Sequence, residues 1–294
     1  MTFRKLALLF LMILAVHVQA APPRDRLTTL DGKSYRARIR KITPAGKVVF
    51  AERKNTADLQ NLRNIRRPIK LQKSSGATSI VHLPGEGQII VRSVRIHKSH
   101  LEINSRGIEP WRLPLRYVRG LWCPTGKDHP TSAKDQFRQL LTQKKRTDRA
   151  LAVTGEGVKA VRCAVLGLDG ERLKVEYEGE KREIRREKLI AIVLAATTNP
   201  PDRTGHCQVT LKNSSKIWGK ILHLKGNKLK LEAFPGNTIA VRWDHVHKVA
   251  VRSERMVFAS DLEPISAVQG AIATYPWSYR KDRNVLNNPL TLGG

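Results

Sequence analysis

The stretch that decides the fold is Trp218–Val251, WGKILHLKGNKLKLEAFPGNTIAVRWDHVHKVAV. Apolar residues alternate with polar or basic ones at Ile221, Leu229, Leu231, Ile239 and Val241. Gly226-Asn227 and Pro235-Gly236-Asn237 punctuate the run. Successive side chains of a strand point to opposite faces, so short alternations separated by turn residues predict antiparallel strands joined by hairpins.

The same phrase recurs upstream. Leu168-Asp169-Gly170-Glu171-Arg172-Leu173-Lys174-Val175-Glu176 matches Leu224-Lys225-Gly226-Asn227-Lys228-Leu229-Lys230-Leu231-Glu232. Gly85-Glu86-Gly87 before Ile89-Ile90-Val91 matches Gly155-Glu156-Gly157 before Val161-Arg162-Cys163. Self-similarity at roughly 50 residues predicts repeated supersecondary units. Four copies are expected, at 27–72, 78–123, 151–196 and 205–252. In the first, Asp31-Gly32 and Ala45-Gly46 supply the turns, and Tyr35–Arg40 alternates with Arg36, Arg38 and Arg40 on one face. The pattern of opening hairpin, turn, strand, turn and closing strand resembles small SH3-like or Sm-like β-barrels, which makes the expected fold mainly β.

One segment departs from that pattern. In Thr131–Arg149, Ser132 is a candidate N-cap, Asp135 follows three residues on, and Phe137, Leu140 and Leu141 fall at i, i+3 and i+4. A single amphipathic helix, 131–149, is expected to connect copies two and three.

The chain has 294 residues and is 40% hydrophobic, enough to build cores. Its 54 Lys+Arg against 25 Asp+Glu give a formal net charge of +29, which favours polyanionic partners and leaves the fold undetermined. The first 20 residues read as a secretory signal peptide. Arg4 and Lys5 are its charged start, Leu6–Val16 its apolar core, and Val18-Gln19-Ala20 its cleavage site. That apolar run is too short to span a bilayer, so an exported protein is expected. Cys123, Cys163 and Cys207 are isolated, without any CxxC, and each is expected to be a small buried residue.

The tail changes texture. Phe258-Ala259-Ser260-Asp261-Leu262-Glu263-Pro264, then Trp277-Ser278-Tyr279-Arg280-Lys281-Asp282-Arg283, then Pro289-Leu290-Thr291-Leu292-Gly293-Gly294 stand in order. These motifs resemble the opening of the NPCBM/NEW2 domain, a carbohydrate-binding β-sandwich of bacterial exported proteins. The resemblance covers 257–294 and corresponds to the start of that domain only. It implies carbohydrate association, with Trp277, Tyr279, Asp282 and Arg283 as candidate contacts, and a place as accessory module of a glycoside hydrolase as a further possibility.

No GxSxG elbow, P-loop, dinucleotide fingerprint or HExxH motif is present, so no catalytic constellation, cofactor or metal site is expected. His97/His100 and His245/His247 are the close histidine pairs. The second pair would share a strand face if extended, although no third ligand lies near it in sequence. The remaining lead is basic side chains spread over the copies: Arg36, Arg38, Arg40, Arg63, Arg66, Arg67, Lys181, Arg182, Arg185, Arg186, Lys225, Lys228 and Lys230. Of these, Arg36, Arg38, Arg40, Lys225, Lys228 and Lys230 are the chosen candidates for holding a polyanion, with Trp111, Trp218 and Trp243 as possible stacking platforms. The sequence therefore predicts a non-enzymatic binding or scaffold protein of the cell envelope. Its partner would be a polysaccharide or another anionic envelope polymer, with nucleic acid disfavoured for an exported chain.

Overall fold

A computed structural model describes residues 24–72, 79–124, 131–143, 147–195 and 205–253. The signal segment 1–20 and the tail 257–294, with Trp277, Tyr279, Asp282 and Arg283, lie outside the described residues. The fold is mainly β and antiparallel, with one α-helix among the described residues.

Unit 1 comprises β1 (Asp25–Thr29), β2 (Ser34–Ala37), β3 (Ile39–Ile42), β4 (Lys47–Phe50), β5 (Thr56–Asp58) and β6 (Leu62–Arg66). Unit 2 repeats this order with β7 (Ser79–His82), β8 (Gln88–Val91), β9 (Ser93–Ile96), β10 (His100–Asn104), β11 (Trp111–Pro114) and β12 (Gly120–Trp122). After helix α1 (Thr131–Thr142), unit 3 runs through β13 (Asp148–Thr154), β14 (Gly157–Leu168), β15 (Arg172–Tyr177), β16 (Glu180–Arg185) and β17 (Leu189–Val193). Unit 4 has β18 (Cys207–Leu211), β19 (Lys216–Lys225), β20 (Lys228–Phe234), β21 (Asn237–Arg242) and β22 (Val246–Val251). The long strands β14 and β19 do in one piece what β2–β3 and β8–β9 do in two. Their registers shift at Val165/Gly167 and Ile221/His223, where bulges bend them from one sheet into another.

Every unit closes on itself. A 3-10 turn leads into the last strand, which returns antiparallel to the first through Leu27↔Ile65, Val81↔Leu121, Ala150↔Ile192 and Val209↔Val249. All eight of these residues are buried apolar side chains. The hydrophobic period of two thus fixes the register, since a slip of one residue would turn each of them out to water.

The units then pair in a nested order, 1 with 4 and 2 with 3. The closing strands β6 and β22 join through Ile65↔Val249, and β12 and β17 through Leu121↔Ile192. The bent strands join as well, β3 with β19 at Ile42↔Leu224 and β9 with β14 at Ile96↔Leu168. Units 2 and 4 meet between the two pairs at Gln88↔Lys216, with Trp111 donating its indole N–H to Asn237 Oδ1 at 2.8 Å and Tyr117 stacked on Phe234 at 4.2 Å. Gly107, at φ 83°, has its α-carbon against His245, and an added Cβ would stand 2.5 Å from the ring carbon Cγ. Between units 1 and 4, buried Asp25 accepts from Arg67 Nε at 3.0 Å, and the Arg67 guanidinium lies 5.0 Å over the Trp243 ring. Burial raises the Asp25 carboxyl pKa, opposed by the Arg67 charge.

Three expectations need adjustment. The helix ends at Thr142 instead of 149, because Asp148 is held in the sheet, accepting the backbone N–H of Val165 at 2.9 Å and of Ala195 at 2.7 Å. Arg36, Arg38 and Arg40 do not form one face. The chain bends at Arg38 between β2 and β3, and Arg40 falls in the register shift of β3. Trp111 and Trp243, at 5% and 6% exposure, are packing residues with no open ring face for stacking.

Helix α1 buries Ala133, Phe137 and Leu140 on Leu151, Ile190, Ala191 and Val193, with Trp122 at the rim. Gly120 lets it approach: an added Cβ would stand 3.2 Å from Phe137 Cε2, 3.0 Å from Leu141 Cδ2 and 2.8 Å from the Ile192 carbonyl oxygen. Arg119 donates to the Leu141 carbonyl at 2.5 Å, satisfying one of the orphan acceptors near the helix end.

His82 lies edge-on to the Phe137 ring, centroids 5.3 Å apart, and burial there lowers its pKa to about 4, aided by the Arg138 charge. A histidine pKa lower when folded than when unfolded contributes stability above the unfolded value, and this is lost as pH falls through the folded one. About 3 kcal/mol should therefore disappear between pH ~6.5 and pH ~4, since each pH unit separating the folded and unfolded pKa values is worth about 1.36 kcal/mol. Urea unfolding across that range should show a steeper decline for the wild type than for His82→Gln; parallel declines would refute it.

Cys123, Cys163 and Cys207 are free and buried. Burial pushes the Cys123 and Cys207 thiols up to about 12 and Cys163 to about 11. Thiolate is the reactive form, so Cys123 and Cys207 should label with a thiol reagent only on unfolding. Labelling of native protein at the denatured rate would contradict the assignment.

Candidate polyanion interface

The nested pairing assembles a row of basic residues from strands far apart in sequence. Arg36 on β2 is opposite Arg26 on β1, Arg26 is opposite Arg66 on β6, and Arg66 is opposite Lys248 on β22. Lys248 faces Thr210 on β18, and Thr210 faces Lys216 on β19. At ~4.8 Å per strand step, the row from Arg36 to Lys216 spans about 24 Å. Arg26, Arg36, Arg66 and Lys216 are exposed, as is Arg63 beside them.

Two observations mark this row as unusual. None of Arg26, Arg36, Arg63, Arg66, Lys216 and Lys248 forms an ion pair with a carboxylate among the described residues. The Lys248 pKa is lowered by partial burial and by the charges of Arg66 and Arg63. Like charges directly opposite one another destabilise a sheet. Sheets often place charges on edge strands to block aggregation, but Arg26, Arg66 and Lys248 stand on β1, β6 and β22, each paired on both sides, and only Arg36 stands on a strand paired on one side among the described residues.

The equivalent face of the other unit pair shows what the row replaces. Ile90↔Ile80↔Trp122↔Ala191↔Leu151↔Ala160 follows the same sequence of pairings as Arg36↔Arg26↔Arg66↔Lys248↔Thr210↔Lys216. There the side chains are apolar and α1 packs over much of the face. Arg119, which caps the helix end, corresponds to Arg63 one residue after the 3-10 turn and its cap position. One architecture thus carries two surfaces, an apolar face packed under a helix and a cationic face with no helix on it among the described residues.

Trp218 lies on the cationic side. In the next row, Thr28, Asn64, Ala250, Gln208 and Trp218 follow one another across β1, β6, β22, β18 and β19. The half-buried indole is therefore two residues along β19 from Lys216.

Of the six chosen candidates only Arg36 belongs to this row, together with Arg66 from the wider basic set. Lys225 and Lys228 stand in another, Lys41↔Lys225↔Lys228↔Arg242 across β3, β19, β20 and β21. Carboxylates offset that row: Glu109 lies 2.5 Å from Lys228 Nζ, and Asp244 lies 2.6 Å from Arg242 Nη2. Lys230 faces His223 and Ala240 one step along. Arg26, Lys216 and Lys248 escaped the sequence reading, because nothing local to each marks it as a member of a row.

The two histidine pairs also separate. His245 ends the last 3-10 turn and is buried against Gly107, while His247 Nδ1 bonds the Ile69 carbonyl. Those rings therefore serve packing and do not form a ligand pair. His97 and His100 instead flank the β9–β10 turn, with their rings stacked at 4.7 Å and Glu102 beside both. No protein-family model matches the chain, and no curated protein matches it.

Proposed function

We propose that this is a non-enzymatic binding protein of the cell envelope that holds an acidic polysaccharide along the Arg36–Arg26–Arg66–Lys248–Lys216 row. Its units read best as tandem SH3-like barrels, supported by the closed strand order and by the 3-10 turn before each last strand. The observation that carries the reading is the uncompensated row itself. Five cations spaced at strand intervals across a solvent-facing sheet present a linear track to a linear array of anions. A polyanion laid on it releases condensed counterions, and this release drives binding. The resemblance of the signal segment and of the tail to exported carbohydrate-associated proteins favours a glycan over nucleic acid. An in-frame coding continuation beyond Gly294 that completes a sandwich would strengthen the carbohydrate side.

The test is affinity for polygalacturonate, with neutral dextran and single-stranded DNA as comparisons, at several salt concentrations. Five contacts predict a loss on the order of a hundredfold between 50 and 200 mM salt, by a slope of ~0.7–0.9 per contact. Dextran should not bind. Absent or salt-insensitive binding to polygalacturonate would sink the proposal, and tighter binding to DNA would replace glycan with nucleic acid as the partner.

A further inference from the structure

The β9–β10 hairpin gathers three metal-ligating side chains on one side. The turn residues Lys98 and Ser99 join the strands, and the His97 N–H donates to the His100 carbonyl at 2.8 Å. The two imidazoles are stacked 4.7 Å apart and 16° from parallel. Glu102, two residues beyond His100, points to the same face of the strand, and its neighbours Leu101 and Ile103 are anchored in the core. Glu102 Oε2 is 3.3 Å from His97 Nε2, and Glu102 Oε1 is 3.8 Å from His100 Nε2. One donor atom from each residue falls within 4.8 Å of the other two.

From this geometry we infer that His97, His100 and Glu102 bind a divalent transition-metal ion, with zinc, nickel or copper as the chemical class. A tetrahedral ion with bonds of 2.0–2.1 Å separates its ligand atoms by about 3.3–3.4 Å, close to the 3.3 and 3.8 Å between Glu102 and the two imidazoles, and one ring turns out of the stack to aim its in-plane lone pair at the ion. Two imidazole nitrogens and one carboxylate oxygen suit these ions better than magnesium or calcium, which prefer all-oxygen shells. Arg112 donates Nε to Glu102 Oε1 at 3.1 Å, which orients the carboxylate and leaves Oε2 free to coordinate. The three donors are part-exposed, so the open coordination position faces solvent and can take water or an anionic oxygen. Glu102 also lines a groove of about 580 Å³ with Arg95, Trp111 and Arg112, and His97 and His100 lie outside its lining. The inference is independent of the cationic row, which lies on other units.

The alternative is a set of ion pairs between protonated imidazoles and Glu102. The two are separated by calorimetric titration of the full chain, expressed without a histidine tag, with Zn²⁺ in a non-chelating buffer. The wild type and His223→Ala should show the same saturable site, while His97→Ala/His100→Ala and Glu102→Gln should bind more than about tenfold more weakly. Cu²⁺ in place of Zn²⁺ should give a paramagnetic resonance spectrum with two nitrogen couplings, absent in the double variant. Thermal melting of each variant without metal guards against loss through unfolding. No saturable site in folded wild type, or a site unchanged in the folded double variant, overturns the assignment.

Discussion

Replacing Arg26, Arg66 and Lys248 together by glutamine should weaken polyanion binding on the order of a hundredfold while making the protein more stable. The three residues are consecutive in the central row, and none has a carboxylate partner among the described residues. At ~1 kcal/mol per surface cation facing an anionic array, losing three weakens binding on the order of a hundredfold. The logarithmic salt slope should also fall by about 2 to 3, one contact at a time. The stability change has the opposite sign. Arg26 opposite Arg66, and Arg66 opposite Lys248, are repulsive cross-strand pairs, and each should return ~0.2–1 kcal/mol when neutralised. Binding measured beside urea unfolding checks both halves. A variant that loses affinity because it is less stable would point to a structural role for these side chains. Unchanged affinity in a stable variant would remove the row from the function. Stability given up at a site of use is the general pattern for functional surfaces.

The second large effect is expected at the covered face. Phe137→Ala should cost about 3–5 kcal/mol, the range for truncating a buried aromatic side chain. Phe137 is 2% exposed, and its ring lies 5.4 Å from Trp122 and 5.3 Å from His82. Loosening α1 would uncover Trp122, Ala191 and Leu151 together, a contiguous apolar strip of the kind that promotes association. The variant should therefore also self-associate as concentration rises, which analytical ultracentrifugation would register. A loss below ~1 kcal/mol with no association would show that the helix is not needed to cover this face. Gly120→Val approaches the same docking from the sheet side and should act in the same direction, since its Cβ would meet the Ile192 carbonyl oxygen at 2.8 Å.

The hairpins were legible in sequence because their turns carry their own chemistry. Gly32, Gly46, Gly226 and Gly236 all sit at positive φ, where a side chain costs energy and glycine does not. The helix was legible from Phe137, Leu140 and Leu141, though not its end, since Asp148 owes its place to backbone groups of residues 165 and 195. The cationic row could not be read in the same way. Its members alternate with buried residues like any half-exposed strand, and what joins Arg66 to Lys248 is a pairing between units 1 and 4. The ligand triad was half legible. His97 and His100 are a visible pair, and Glu102 joins them only once the strand period is laid on that hairpin.

The nesting of unit 1 with unit 4 also sets an order in time. Arg67 and Trp243, which meet across that junction, are separated by 176 positions. At ~5–20 residues per second of synthesis, unit 1 exists for roughly 10 to 35 s before its partner has been made. Throughout that interval β6 has Ile65 paired on one side only, an open edge able to recruit the wrong strand. Units 2 and 3, being neighbours in sequence, can complete their junction while it lasts. The exposed Arg63 and Arg66 on that waiting strand would give newborn chains a mutual repulsion, so the charge proposed to hold a ligand would also disfavour that wrong pairing.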